Sequence, residues 1–357
     1  MENNKIFTLT EEQKFRYNAF WERKDSGRAC LFIKAWDGAE RYPAPETLYD
    51  QWENVPRRID QAQYETEHSL FFAEAYPSIF VNFGPGSLTP GIGGTHKLSP
   101  YTVWFENEPF VIEDWENVPE LSLHPDSKMY RMIEEMTAGL LAHKDRMITS
   151  ISDIGGTMDI VAALRGSENL LYDLYDYPEE VKAFVKKLEV LWRTFFLTYS
   201  ARLIKEQGCM TSWQPVWSDK SFYPLQCDFC AMLSPEMFGE FVLPDLRFQT
   251  EFMDRAIYHL DGPGELPHVD QLLSLPRLNA IQWTSGDGNP PLEDPCWYDL
   301  YARIQAAGKG IILLGISPEG FEKLVPHIRR TGLFVTMDVK DEQEAKEIIR
   351  MAEKMKA

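Results

Sequence analysis

The chain has 357 residues, 44% hydrophobic and 25% charged, a globular composition that excludes a disordered or fibrous protein. Its 55 acidic residues against 36 Lys and Arg leave a net charge of −19, which repels phosphate backbones and anionic surfaces, so neither nucleic acid nor membrane is an expected partner. Five cysteines are too few and uneven for a disulfide framework, and no stretch reaches the ~18 consecutive apolar residues that span a bilayer.

The polar opening carries no basic-then-apolar leader, so a cytoplasmic protein is expected, with a first helix at about 10–24. Apolar, often β-branched runs then recur as strand candidates at 29–34, 78–82, 147–152, 209–214, 256–260, 279–283, 310–314 and 332–337. Amphipathic helical stretches separate them, at 57–75, 126–144, 178–206, 235–254, 266–275, 297–307, 318–330 and 340–356. Ser234-Pro235, Ser317-Pro318 and Asp341-Glu342 read as helix starts. Eight strands alternating with helices predict a parallel sheet, and eight is the number at which such a sheet closes into a (β/α)8 TIM barrel. One domain over 1–357 is expected, with an aromatic-rich lid inserted at about 84–120. An open doubly wound sheet is the alternative, weakened by the lack of G-x-G-x-x-G after the first strand.

In a barrel, chemistry belongs at the carboxyl ends of the strands. Residues there include Trp36, Asn82, Asp153, Trp213, Gln214, His259, Asp261 and Trp283. His259 and Asp261, two apart at a strand end, share a face and are the leading catalytic or metal-ligating pair. The plain alternative is a helix-capping Asp261 and a core His259. Asp228 lies in an aromatic-rich loop where burial would raise its pKa, and Asp153 is a further candidate for proton transfer. Trp36, Asn82, Trp213, Gln214, Trp283 and Arg165 are candidates for substrate binding. Cys227-x-x-Cys230 has the spacing of a zinc or dithiol motif but no second pair, so buried inert thiols are the stronger reading. In Asp153–Arg165 the Gly155-Gly156 pair is either a turn or an anion site at a helix start, and Asp159 and Arg165 have the spacing of an ion pair.

Three phrases, DIGGTMDIVAALRGSENLLYDLYDYPEEVK, CDFCAMLSPEMFGEFVLPDL and IYHLDGPG, resemble the uroporphyrinogen decarboxylase superfamily, which also contains cobalamin-dependent methyltransferases. The resemblance implies a (β/α)8 barrel enzyme, either a methyltransferase linked to a corrinoid-carrying partner protein or a decarboxylase that needs no cofactor. The decarboxylases' R-Q-A-G-R phrase is replaced here by Ile33–Arg41, leaving Lys34, Arg41 and Arg165 as cations for a carboxylated ring. The methyltransferase branch holds zinc with H-x-C-G and a later Cys; this chain has His259-Leu260-Asp261-Gly262 and Thr336-Met337. A zinc on His259 and Asp261 would favour an oxygen nucleophile over a thiolate. A homodimer and a non-catalytic binding protein are further expectations.

Overall fold

The strand candidates resolve, in a computed structural model that describes residues 6–357, into eleven strands. They are β1 Cys30–Trp36, β2 Ser69–Ala73, β3 Ser78–Ile79, β4 Lys97–Leu98, β5 Val103–Trp104, β6 Ile148–Thr149, β7 Phe222–Leu225, β8 Arg255–Asp261, β9 Ala280–Thr284, β10 Gly310–Leu313 and β11 Leu333–Asp338. Residues 1–5, the start of the polar opening, lie outside the described part. The first helix runs Glu11–Glu22, with Thr10 and Gln13 forming a reciprocal cap. Ser234, Ser317 and Asp341 accept hydrogen bonds from the backbone N–H of Met237, Gly320 and Glu344, the capping roles their sequences imply.

Seven strands form one sheet in the order β2-β1-β11-β10-β9-β8-β7. Every pairing is parallel except β1 with β2. Each strand from β7 to β11 neighbours the next, and β11 returns to β1, so the sheet is wound in one direction. The expected closed barrel is not drawn by backbone pairing among the described residues: β3 and β6 form a separate parallel pair. The strand expected at 209–214 shrinks to a single antiparallel bridge, Met210 to Ser218. Ser212 explains why, because its Oγ accepts from Gln214 N at 3.2 Å and bends the chain, and Pro215 then has no N–H to offer a ladder. Other hydrogen bonds join this arc to the rest: Val81 N to Ser150 Oγ at 3.0 Å, Tyr76 Oη to Thr211 Oγ1 at 2.8 Å, and Ile154 N to Tyr223 Oη at 2.6 Å.

Two helical expectations are also revised. The stretch 57–75 is a helix only over Val55–Glu67; Ser69–Ala73, with Phe71 and Phe72, pairs antiparallel to β1 instead. The stretch 235–254 is interrupted by a π-helical turn, Phe238–Val242, next to Pro244, whose ring removes one N–H from the ladder. Within 84–120 lie a short helix, Leu88–Gly91, and the β4–β5 hairpin.

The core fills the space between sheet and helices with large aromatics, Trp192, Trp283, Tyr223, Tyr258, Phe195 and Phe196 among them. One charged pair is buried with them. Arg28 Nη1 and Nη2 meet Glu74 Oε2 and Oε1 at 2.6 and 2.5 Å, and Glu74 also accepts from Leu31 N at 2.9 Å. Removing one partner strands the other charge in a low dielectric. Glu74→Ala should therefore cost about 3–5 kcal/mol in urea unfolding, whereas the exposed Glu11→Ala should stay within about 0.5 kcal/mol.

Candidate functional site

Strand β8 ends Tyr258-His259-Leu260-Asp261, and its alternation turns His259 and Asp261 to one face. Parallel register with β9 sets His259 beside Gln282 and Asp261 beside Thr284. Asp228 opens the 3-10 turn Asp228–Met232 after β7 and meets this face. One ligand atom from each of Asp228, His259 and Asp261 lies within 4.8 Å of the other two.

The imidazole is held at its other nitrogen. His259 Nδ1 is hydrogen-bonded to Gln282 Oε1. That oxygen also accepts from Gln214 Nε2 at 3.4 Å, and Gln282 Nε2 bonds Thr284 Oγ1 at 2.7 Å, which fixes the amide with its oxygen toward the ring. An amide oxygen only accepts, so Nδ1 carries the proton. Nε2 is then the ring atom that faces Asp261 Oδ2, 4.0 Å away. Trp213 meets the ring edge-on at 4.9 Å and 86°, setting its plane.

Carboxyl groups in and around the triad are displaced from their ordinary ionisation. Asp228 is exposed rather than buried, yet desolvation by the surrounding protein raises it, with Asp261 adding to the effect and His259 opposing it. Asp153 accepts from Tyr223 Oη and Gly155 N, both at 3.0 Å, yet burial pushes it up to about 7. Asp159 Oδ1 accepts from Phe229 N at 2.8 Å while Oδ2 is buried without a partner; burial, then the Asp228 charge, raises it to about 7. Glu265 is fully buried, accepts from Tyr258 Oη at 3.1 Å, and is pushed up to about 11, chiefly by burial. Proton-holding acids thus back a group of ligand-type side chains.

The remaining sequence candidates divide. Gln214 joins the site through Gln282. Trp283 faces a separate cavity of about 410 Å³ shared with Thr284 and Ser317, and packs on Trp297 at 5.0 Å. Trp36 lies under the Arg41 guanidinium at 4.0 Å, with its indole N–H on Ala39 O. Asn82 Oδ1 accepts from Gly84 N at 3.0 Å. Arg165 pairs with Asp173 at 2.6 and 3.1 Å, not with Asp159, and donates to Ile112 O and Glu113 O. Trp36 and Arg165 are therefore placed in local structure of their own, whereas Asn82 also lines a cavity of about 540 Å³. Lys34 stands 3.9 Å from Asp338, so it, Arg41 and Arg165 have separate engagements and do not gather into a clamp.

Gly155-Gly156 is a packing device. A Cβ on Gly155, at φ +92°, would come within 2.8 Å of Gly86 Cα, and one on Gly156 within 2.3 Å of both Asp159 Oδ2 and Gln226 O. Cys227 and Cys230 are buried and free, and burial raises the Cys227 thiol well above its ordinary value.

No protein-family model matches the sequence, and no curated protein matches it. Solved structures do: a methyltransferase from Methanosarcina mazei superposes with a TM-score of 0.61 over 95% of this chain and 98% of that one, at 8% sequence identity. At that identity the likeness shows an α/β fold held in common and nothing finer. No helix among the described residues is long and apolar enough to cross a membrane.

Asp159 binds a proton in the folded state at pH values where the unfolded chain has released it. The stabilisation is complete below its ordinary value of 3.8 and is lost as pH rises through about 7. Unfolding free energy measured across that window should fall with rising pH, and Asp159→Asn should make the slope shallower, Asp153 supplying part of what remains.

Proposed function

We propose that the chain is a methyl-transferring enzyme acting on a small substrate, with Asp228, His259 and Asp261 as the ligands of a divalent cation. The observation that carries the metal reading is the hydrogen bond that His259 Nδ1 donates to Gln282 Oε1, which leaves Nε2 beside two carboxylates. A ligating histidine characteristically has its second nitrogen held this way. One imidazole with two carboxylates suits zinc or another borderline divalent ion, and lacks the sulfur ligands that select softer chemistry. The likeness to a solved methyltransferase and the one-way winding of the sheet, with first strand beside last, support a place in the uroporphyrinogen decarboxylase superfamily and a barrel-type architecture.

A cation here would supply Lewis acidity toward an oxygen-bearing substrate. The protein's own groups do the rest. Gln282 and Trp213 fix the His259 ring, and Thr284 anchors the Gln282 amide. Asp228, whose carboxyl is raised by desolvation, gives up its proton as the cation binds. The methyl donor in this reading is a corrinoid carried by a partner protein, docking over the strand ends.

Elemental analysis of purified protein equilibrated with zinc should find one ion per chain, absent in His259→Ala and Asp261→Ala. Gln282→Leu should retain the fold but weaken zinc binding by about 10–100-fold, since it removes only the orienting bond. Unchanged stoichiometry and affinity in all three would remove the metal from the account.

A further inference from the structure

A second cavity, of about 540 Å³, lies between the helix Val55–Glu67 and β3, with Arg57, Arg58, Gln61, Trp52 and Phe80 on its wall. That is the size of a small-molecule site. Neither arginine forms an ion pair with a carboxylate among the described residues, in a chain with 55 acidic side chains. Elsewhere arginines find them readily: Arg28 with Glu74, Arg165 with Asp173, Arg255 with Asp219, Arg330 with Asp25.

Arg58 donates to Trp52 O at 2.8 Å and Asn82 O at 2.6 Å, and its guanidinium lies 4.8 Å from the Phe83 ring centre. Two of its five N–H groups are thereby used. Burial, with no carboxylate to offset it, pushes its pKa down to about 10. Arg57 donates to Gln61 Oε1 at 3.1 Å and to Pro43 O. Glu65, the acid on the same wall, accepts from Gln61 Nε2 at 2.7 Å. Two guanidiniums on the wall of one cavity, held by neutral acceptors with donors to spare, offer the chemistry that recognises an oxyanion.

We infer that this cavity is an oxyanion-binding subsite, in which Arg57 and Arg58 take the carboxylate or phosphate of a small ligand whose apolar body lies against Trp52 and Phe80. The cavity shares Glu65, Ser78, Ile79 and Phe80 with a neighbouring one of about 220 Å³ that Trp213 lines. Since Trp213 packs on His259, the ligand's far end is directed toward the triad. That last step rests on the methyl-transfer reading; the anion site itself does not.

The test uses full-length protein treated with chelator, titrated by calorimetry with benzoate, phenyl phosphate, inorganic phosphate and the neutral benzyl alcohol. Binding of at least one anion is expected, with benzyl alcohol bound more weakly. Arg57→Gln and Arg58→Gln should each weaken it by about tenfold or more, the loss of a hydrogen bond to a charged group. His259→Ala and the control Arg41→Gln should leave it unchanged. Tighter benzoate than phenyl phosphate assigns a carboxylate, and the reverse a phosphate. Because Arg58 also ties Trp52 and Asn82, Arg57→Gln, checked by circular dichroism, carries the decision if Arg58→Gln unfolds. No binding of any anion, or binding indifferent to Arg57→Gln, overturns the inference whatever the metal result.

Discussion

The parallel register between β8 and β9 is the constraint on which the site depends. It sets His259 against Gln282 and Asp261 against Thr284, so a single ladder delivers both ligand-type side chains and the groups that orient one of them. A slip of one residue would turn every one of these side chains to the opposite face. Strand β8 is therefore more than a support: its alternation selects the pair, and its neighbour selects the tautomer. Burial of Tyr258, Leu260 and Trp283 around that ladder makes the slip costly, because each would leave the core.

Charge follows the same logic at longer range. A surface rich in acids coexists with an interior where Asp153, Asp159 and Glu265 retain protons, because removing a carboxylate from water costs more than the few available hydrogen bonds return. These groups adjoin Asp228 electrostatically, so positive charge placed among the triad would be felt by all of them. The thiols of Cys227 and Cys230, in contrast, are sealed: both are buried, Cys230 beside Cys227 and 3.6 Å from Tyr258 Oη. Oxygen and nitrogen, not sulfur, define the chemistry presented at the strand ends.

Much of this architecture was legible in the sequence, for identifiable reasons. Apolar runs at 29–34, 256–260, 279–283, 310–314 and 332–337 became the parallel ladder because buried strands on both faces leave uninterrupted β-branched signals. The spacing of His259 and Asp261 sufficed to place them together. The breaks in the ring were not legible, since they turn on β2 taking the outer edge of β1 and on Ser212 and Pro215 bending a segment whose composition otherwise suits a strand. Strand β2 was hidden behind a helical pattern that stops at Glu67. Gln282 was missed because an uncharged amide inside an apolar strand carries no signal until its partner is known. Glu265, two residues past Pro263, stands where a first-turn acid is ordinary, and only its burial sets it apart. Arg165 was drawn to Asp173 eight residues on, across a bend that spacing along one helix cannot anticipate.

The account's central claim is that the triad is an oxygen- and nitrogen-only cation centre oriented by Gln282. X-ray absorption at the zinc edge of protein loaded with one equivalent tests it most directly. The claim predicts a single imidazole and otherwise oxygen ligands at about 2.0–2.2 Å. A sulfur shell at about 2.3 Å would place the ion on the cysteines instead, and a spectrum of fully hydrated zinc would leave the triad without a metal; either contradicts it.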